Sequence, residues 1–205
     1  MNPIGAVSLG WSGKPLREVF EDIAKMGGRC VEINGNAGRH HHIKLTQANI
    51  PDILRQAEES GLTIGSVSGY CDFAQTDAAA VQEEIDRLMT SCKAASALGA
   101  PVVRAFVGDV KPGIDLESVR PTVISAYKEA TERAGALGIT LGIENHGRLI
   151  NDGPTLAALI EDVGAENLGV TLDTGNFAWA GHGPDRVRAD FEAVLPHVVN
   201  VHIKD

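Results

Sequence analysis

Gly169-Val170-Thr171-Leu172-Asp173 is an apolar run that ends on a carboxylate, and it is the middle one of three such runs. Leu141-Gly142-Ile143-Glu144 comes before it and Val198-Val199-Asn200-Val201-His202 after it, each ending on a side chain that can bind a metal. Glu144 precedes Asp173 by 29 residues and His202 follows it by 29, about the length of one strand-plus-helix unit of a parallel α/β barrel. Such a barrel gathers the ends of successive strands around one mouth, so three ligands far apart in sequence can converge on one ion.

The rest of the chain alternates in the same way. Short, β-branched, mostly apolar stretches at 4–9, 30–33, 63–67, 102–106, 140–144, 168–173 and 198–203 read as parallel strands buried on both faces. Between them lie amphipathic stretches of helical period. Val81, Ile85, Leu88, Cys92 and Ala95 recur at steps of four and three, as do Val119, Val123, Tyr127, Ala130, Ala134 and Leu137. Gly27, Gly61, Gly99, Gly138 and Gly164 each stand a few residues before the next strand, where a left-handed helix cap is wanted. The count is seven strands and six intervening helices in a single domain, 1–205, with no linker-like stretch. An open doubly wound sheet would usually carry a glycine-rich phosphate turn after its first strand. Here that turn reads Gly10-Trp11-Ser12-Gly13-Lys14-Pro15 and matches neither a dinucleotide fingerprint nor a P-loop. A barrel is the better reading. Eight-fold barrels typically need ~250 residues, and these 205 stop at the seventh strand, so the eighth βα unit is missing.

Composition narrows the setting. A hydrophobic content of 43% is enough for a sizeable core. No run approaches the ~18 apolar residues that cross a bilayer, and the N-terminus has no basic segment followed by a long apolar one, so a cytoplasmic protein without a membrane partner is expected. Cys30, Cys71 and Cys92 are an odd set without C-x-x-C spacing, which indicates buried thiols rather than a disulfide framework or a thiolate zinc site. The net charge of −9, with arginines and lysines scattered, argues against a nucleic-acid partner.

Gly142-Ile143-Glu144-Asn145-His146-Gly147, Leu172-Asp173-Thr174-Gly175-Asn176 and Val201-His202-Ile203-Lys204-Asp205 together resemble the sugar phosphate isomerase/epimerase family, the xylose isomerase-like TIM barrels. The likeness runs from the first strand to the last residue and includes the Val102-Val103-Arg104 strand after a Leu-Gly-Ala-Pro turn. It implies a (β/α)8-type barrel and a divalent cation held by a Glu on the fifth strand, an Asp on the sixth, a His on the seventh and a Glu on the eighth. Glu144, Asp173 and His202 match the first three, and the fourth has no counterpart in the sequence. In that family the fifth- and eighth-strand glutamates form the acid/base pair, so half of that pair is visible.

The residues carry their own chemical argument. Two carboxylates and one imidazole suit Mn²⁺ or Mg²⁺, with Zn²⁺ or Co²⁺ also compatible through the nitrogen ligand. A cation bridging the carbonyl and neighbouring hydroxyl of a ketose stabilises the enediolate formed when the intervening carbon loses its proton. Glu144 is the candidate base, with His146 two residues on as a second acid/base. Candidate substrate contacts are Asn176 and Lys204 as hydrogen-bond donors and Trp11 as a stacking ring. Arg104 is a further candidate, as a carboxylate or phosphate clamp or as the partner of a neighbouring strand. Any one of these strand-end groups could instead cap a loop or pair with a neighbour. The His40-His41-His42 run should hang over the same mouth, but three consecutive side chains cannot all face one ion, and a solvated loop is the expectation. Glu32 reads as a polar group of the barrel interior, and Trp179 as a lid or packing residue.

The expected function is that of a metal-dependent sugar, sugar phosphate or polyol isomerase or epimerase working on a small carbohydrate. A related dehydratase would share the intermediate. An apurinic endonuclease would share the Glu, Asp and His arrangement, but such nucleases carry a metal-binding His three residues after the Asp, where this chain has Asn176. A non-catalytic barrel is the third class. The early stop leaves the first and seventh strands without a partner to close the sheet, so either more chain or a homo-oligomer is expected to cover them.

Overall fold

The computed structural model describes residues 3–35, 41–147 and 149–204. Seven strands, β1 (Gly5–Val7), β2 (Cys30–Ile33), β3 (Thr63–Ser68), β4 (Val102–Ala105), β5 (Thr140–Glu144), β6 (Leu168–Asp173) and β7 (Val198–His202), form one sheet in sequence order. Every neighbouring pair is parallel. Helices α1 (Leu16–Lys25), α2 (Ile50–Glu59), α3 (Ala78–Ala97), α4 (Leu116–Gly135), α5 (Gly153–Val163) and α7 (Pro184–Val194) occupy the six connections. The sixth connection also contains the single-turn helix α6 (Asn176–Trp179), which the count of six helices did not anticipate.

The helices pack as their periodicity requires. Val81, Ile85, Leu88, Cys92 and Ala95 of α3 are buried, as are Val119, Val123, Tyr127, Ala130 and Ala134 of α4, with Leu137 packed beyond the helix end. The five expected cap glycines all have positive φ, between 67° and 86°, which an L side chain adopts only with strain. Cys71 and Cys92 are buried free thiols, whereas Cys30, facing Gly5 on the edge strand, is half-buried. Among the described residues, no helix is long and apolar enough to cross a membrane.

β1 is shorter than the apolar run 4–9, because the chain turns into a 3₁₀ segment at Ser8–Trp11. Ser8 Oγ there accepts a hydrogen bond from the Asn34 backbone N–H at 2.9 Å, which fixes the exit of β2 instead of prolonging β1. β1 and β7 are the sheet's edges and do not pair with each other among the described residues. Ile4 beside β1, together with Val199, Val201 and Ile203 at β7, stays exposed, Ile203 at 83%.

The sheet is nevertheless strongly curled. Glu32 of β2 and His202 of β7 stand five strands apart in sheet order, yet their side chains lie 2.8 Å apart inside the curve. Two register shifts prepare this meeting. Against β2, strand β3 accommodates an extra residue at Gly65, so Ser66 pairs with Glu32. Against β6, β7 accommodates an extra residue at Val199, so Asn200 pairs with Thr171 and His202 with Asp173. Side chains alternate along a strand, so one extra residue exchanges the inward and outward sets. In β7 the result is that Asn200 and His202 face the interior while Val199 and Val201 face outward.

Candidate active site at the strand C-termini

Glu144, Asp173 and His202 are the last residues of β5, β6 and β7, and adjacent parallel strands bring their side chains together. One ligand atom from each lies within 4.8 Å of the other two. Donors bonded to a single ion at ~2.0–2.3 Å sit up to ~4.6 Å apart, so this set fits a small divalent cation with only slight contraction. Glu144 and Asp173 are buried, and His202 is half-buried.

Each ligand is held from behind. Asn145 locks the ends of β5 and β6 together: its Nδ2 donates to the Asp173 carbonyl at 3.0 Å, and its Oδ1 accepts from the Asp173 N–H at 2.7 Å. Asp173 Oδ1 also accepts from the Gly175 N–H at 2.9 Å. Glu144 is gripped on both oxygens, by Arg104 Nη1 at 2.9 Å and by Asn176 Nδ2 at 3.1 Å. Lys204 Nζ donates to Asn176 Oδ1 at 2.9 Å and approaches Asp173 Oδ2 at 3.9 Å. The four expected substrate-contact residues therefore divide clearly. Arg104, Asn176 and Lys204 join the cluster, with Arg104 engaged as the partner of the neighbouring strand. Trp11 packs partly buried against the hydrophobic core, and no described contact links it to the three ligands.

The described ring contacts of His146 are with Phe106 and Trp179, in a row of aromatic groups beside the ligand cluster. Tyr70, Phe106, His146 and Trp179 follow one another at centroid distances of 5.6, 5.3 and 6.1 Å, and the Arg104 guanidinium lies 4.3 Å from the Phe106 ring centre. The row ends at Trp179, which is 63% exposed. An exposed ring face beside a polar cluster suits the apolar face of a sugar. Of the histidine run, His42 Nε2 meets the Lys14 carbonyl at 2.7 Å and ties two loops together, while His40 lies outside the described residues.

Sequence reasoning left Glu32 as an interior polar group, whereas the structure puts it in contact with the site. Burial pushes its carboxyl up, but the hydrogen bond and charge of His202, the charge of Arg104 and the Ser66 hydroxyl outweigh burial and hold it down at about 2. For His202 burial acts downward, and the hydrogen bond and charge of Glu32 with the charge of Glu144 raise it overall above its ordinary value. The only available signal was a lone acid inside the otherwise apolar strand Cys30-Val31-Glu32-Ile33.

A curled parallel sheet with carboxylates and an imidazole at its C-terminal ends defines a TIM-barrel class of site. Residues 20–205 match the xylose isomerase-like TIM barrel family, and the chain belongs to it. No curated protein matches the chain by sequence. Among solved structures it is similar to D-psicose 3-epimerase with D-tagatose from Clostridium cellulolyticum H10, at 16% identity and TM-score 0.83, covering 100% of this chain and 73% of that one. It is similar to the probable 3-DHS dehydratase involved in petrobactin synthesis from Bacillus anthracis, at 15% identity and TM-score 0.79, with coverage of 100% and 73%. A xylose isomerase-like TIM barrel protein from Mycobacterium smegmatis in complex with magnesium is similar at 19% identity and TM-score 0.78, with coverage of 99% and 74%. At these identities the likeness concerns the fold.

Proposed function

We propose that the chain is the catalytic barrel of a divalent-metal-dependent sugar or polyol isomerase or epimerase, with Glu144 as the base. The convergence of Glu144, Asp173 and His202 within 4.8 Å at the C-terminal strand ends carries this reading. The oxygen-rich donor set favours Mn²⁺ or Mg²⁺ over softer ions. When bound, the cation would polarise a substrate carbonyl and offset charge on the oxygens of the deprotonated sugar.

The protein's own groups then divide the work. Glu144 takes the proton from the carbon beside the carbonyl; its return to the adjacent carbon gives isomerisation, whereas epimerisation requires a second acid on the opposite face to protonate the original carbon. Arg104 and Asn176 hold its two oxygens, so the carboxylate is aimed without freedom to rotate. Lys204 and Asn176 supply donors for substrate hydroxyls, and the row from Phe106 to Trp179 offers the ring face on which a sugar rests. His146, exposed within that row, stands where it can exchange a proton with solvent. The chain's net charge of −9 sets it against a polyanionic substrate.

Incubating the Mn²⁺-loaded protein with a panel of ketoses in D₂O tests the reading. Deuterium should enter the carbon next to the carbonyl, and Glu144→Gln should abolish that entry while leaving the fold intact. Exchange that survives in Glu144→Gln removes Glu144 from the base role. A product that has lost a hydroxyl would instead make the enzyme a dehydratase.

A further inference from the structure

Glu32 is the third residue of β2 and only 6% exposed, in a strand whose other members are apolar or thiol. A buried carboxylate at such a position adds nothing to packing that an apolar side chain of similar size would not supply. Its surroundings are nevertheless built around it. Ser66 and Ser68, two apart on β3 and so on one face of that strand, donate hydroxyls to Oε2 at 2.6 Å and Oε1 at 2.5 Å. Arg104 Nε on β4 approaches Oε1 at 3.9 Å. From the far side of the curl, Asn200 Nδ2 donates to Oε2 at 3.3 Å, and His202 Nε2 lies 2.8 Å from the same oxygen. Both register shifts of the sheet, at Gly65 and Val199, serve this one carboxylate, since they put Ser66, Asn200 and His202 on the inward side.

An imidazole has two ring nitrogens, and only one can face a metal. His202 has committed Nε2 to Glu32, which leaves Nδ1, 4.0 Å from Glu144 Oε2, on the side of the other two ligands. We infer that Glu32 is the positioning residue of the metal centre: it takes the Nε2–H of His202, fixes the ring, and leaves the Nδ1 lone pair to the cation. Resting on the metal-dependent function proposed above, this assignment adds a residue the three-ligand description leaves out. The serines and Arg104 stop the carboxylate from turning away, so the orientation of His202 is set from β2, β3 and β4, on the opposite wall from its own strand. A carboxylate on the outer nitrogen also makes the inner one a better donor, and removing such a partner commonly costs 10–100-fold in metal affinity.

The experiment has two parts on the full chain. Calorimetric titration of the metal-free protein with Mn²⁺ should give one site per chain, and Glu32→Gln should weaken it by about 10–100-fold. Glu32→Asp, which keeps the charge but is too short to reach the ring, should fall between the two. Independently of any Glu32 variant, ¹⁵N-histidine spectra of the wild type loaded with Zn²⁺ should show His202, assigned with His202→Gln, protonated at Nε2 and metal-bound at Nδ1. Wild-type Mn²⁺ binding with Glu32→Gln within about twofold of it, or a metal-bound Nε2, would overturn the role of Glu32 while leaving the metal site standing. Absence of any Mn²⁺ binding to the wild type would overturn the function itself, and the role of Glu32 with it.

Discussion

Arg104→Met should unfold the metal-free protein far more easily than the metal-loaded one. The guanidinium is almost wholly enclosed, 2.9 Å from Glu144 Oε2 and 3.9 Å from Glu32 Oε1, and it lies over the Phe106 ring. Three carboxylates, those of Glu32, Glu144 and Asp173, are buried within this site, and without a cation in it Arg104 is the buried group that offsets Glu144. Methionine fills much of the same volume but strands that charge. Removing one partner of a buried ion pair costs about 3–5 kcal/mol, and loss of the contact with Phe106 adds roughly 0.5–1 kcal/mol. For a chain of this length each kcal/mol lowers Tm by about 2–4 °C, so a drop on the order of 10 °C is expected in EDTA. With saturating Mn²⁺ the ion supplies positive charge to the same carboxylate, and at least half of the loss should be recovered. Urea unfolding of wild type and variant, with EDTA and with Mn²⁺, measures both quantities. A loss below about 1 kcal/mol in EDTA, or an equal loss in the two conditions, would refute the claim that Arg104 balances the charge of the ligand set.

Asp190, fully buried in α7, accepts from the Gly153 N–H at 2.9 Å and from Arg186 Nε at 3.2 Å, and meets His182 Nδ1 at 2.6 Å. Asp190→Ala should therefore cost about 3–5 kcal/mol in urea unfolding, and Asp190→Asn less, because its carbonyl still serves Gly153. Burial pushes the thiols of Cys71 and Cys92 up to about 12, so a disulfide reagent at pH 8 should titrate only Cys30 in the native protein and all three thiols in denaturant. The Glu32–His202 contact should make stability depend on pH from both sides. Glu32 falls from 4.5 to about 2 on folding, so its contribution is present above 4.5 and lost as pH drops toward 2. His202 is raised above 6.5, so its contribution is complete below 6.5 and lost as pH climbs through the raised value. The stability difference between metal-free wild type and Glu32→Gln should accordingly be widest between about pH 4.5 and 6.5, as followed by unfolding at a series of pH values.

What could be read from the sequence were the features that depend on local chemistry and regular spacing. Gly27, Gly61, Gly99, Gly138 and Gly164 mark helix ends because a left-handed backbone favours glycine wherever it occurs. The spacing of Glu144, Asp173 and His202 carried their convergence, because each βα unit advances the chain by one strand around the mouth. The remaining features depend on distances that no local pattern encodes. That Arg104 would reach Glu144 follows from the register in which β4 lies against β5. That Glu32 would meet His202 depends on the curl of the whole sheet and on two one-residue shifts, at Gly65 and Val199, which a period-two reading of β3 and β7 passes over. Trp11 reads as a ring at the mouth because it follows β1, and it closes a 3₁₀ segment whose presence, and the ring's partial packing against the core, no local pattern in the sequence signals. Asn145 had no reading of its own, and it proves to be the clasp between the ends of β5 and β6.

Anomalous diffraction from crystals of the protein grown with Mn²⁺ tests the central claim most directly. The account predicts a single strong peak at the C-terminal end of the sheet, about 2.0–2.3 Å from a carboxylate oxygen of Glu144, a carboxylate oxygen of Asp173 and Nδ1 of His202. A peak elsewhere, or none between these three side chains at saturating Mn²⁺, would contradict it.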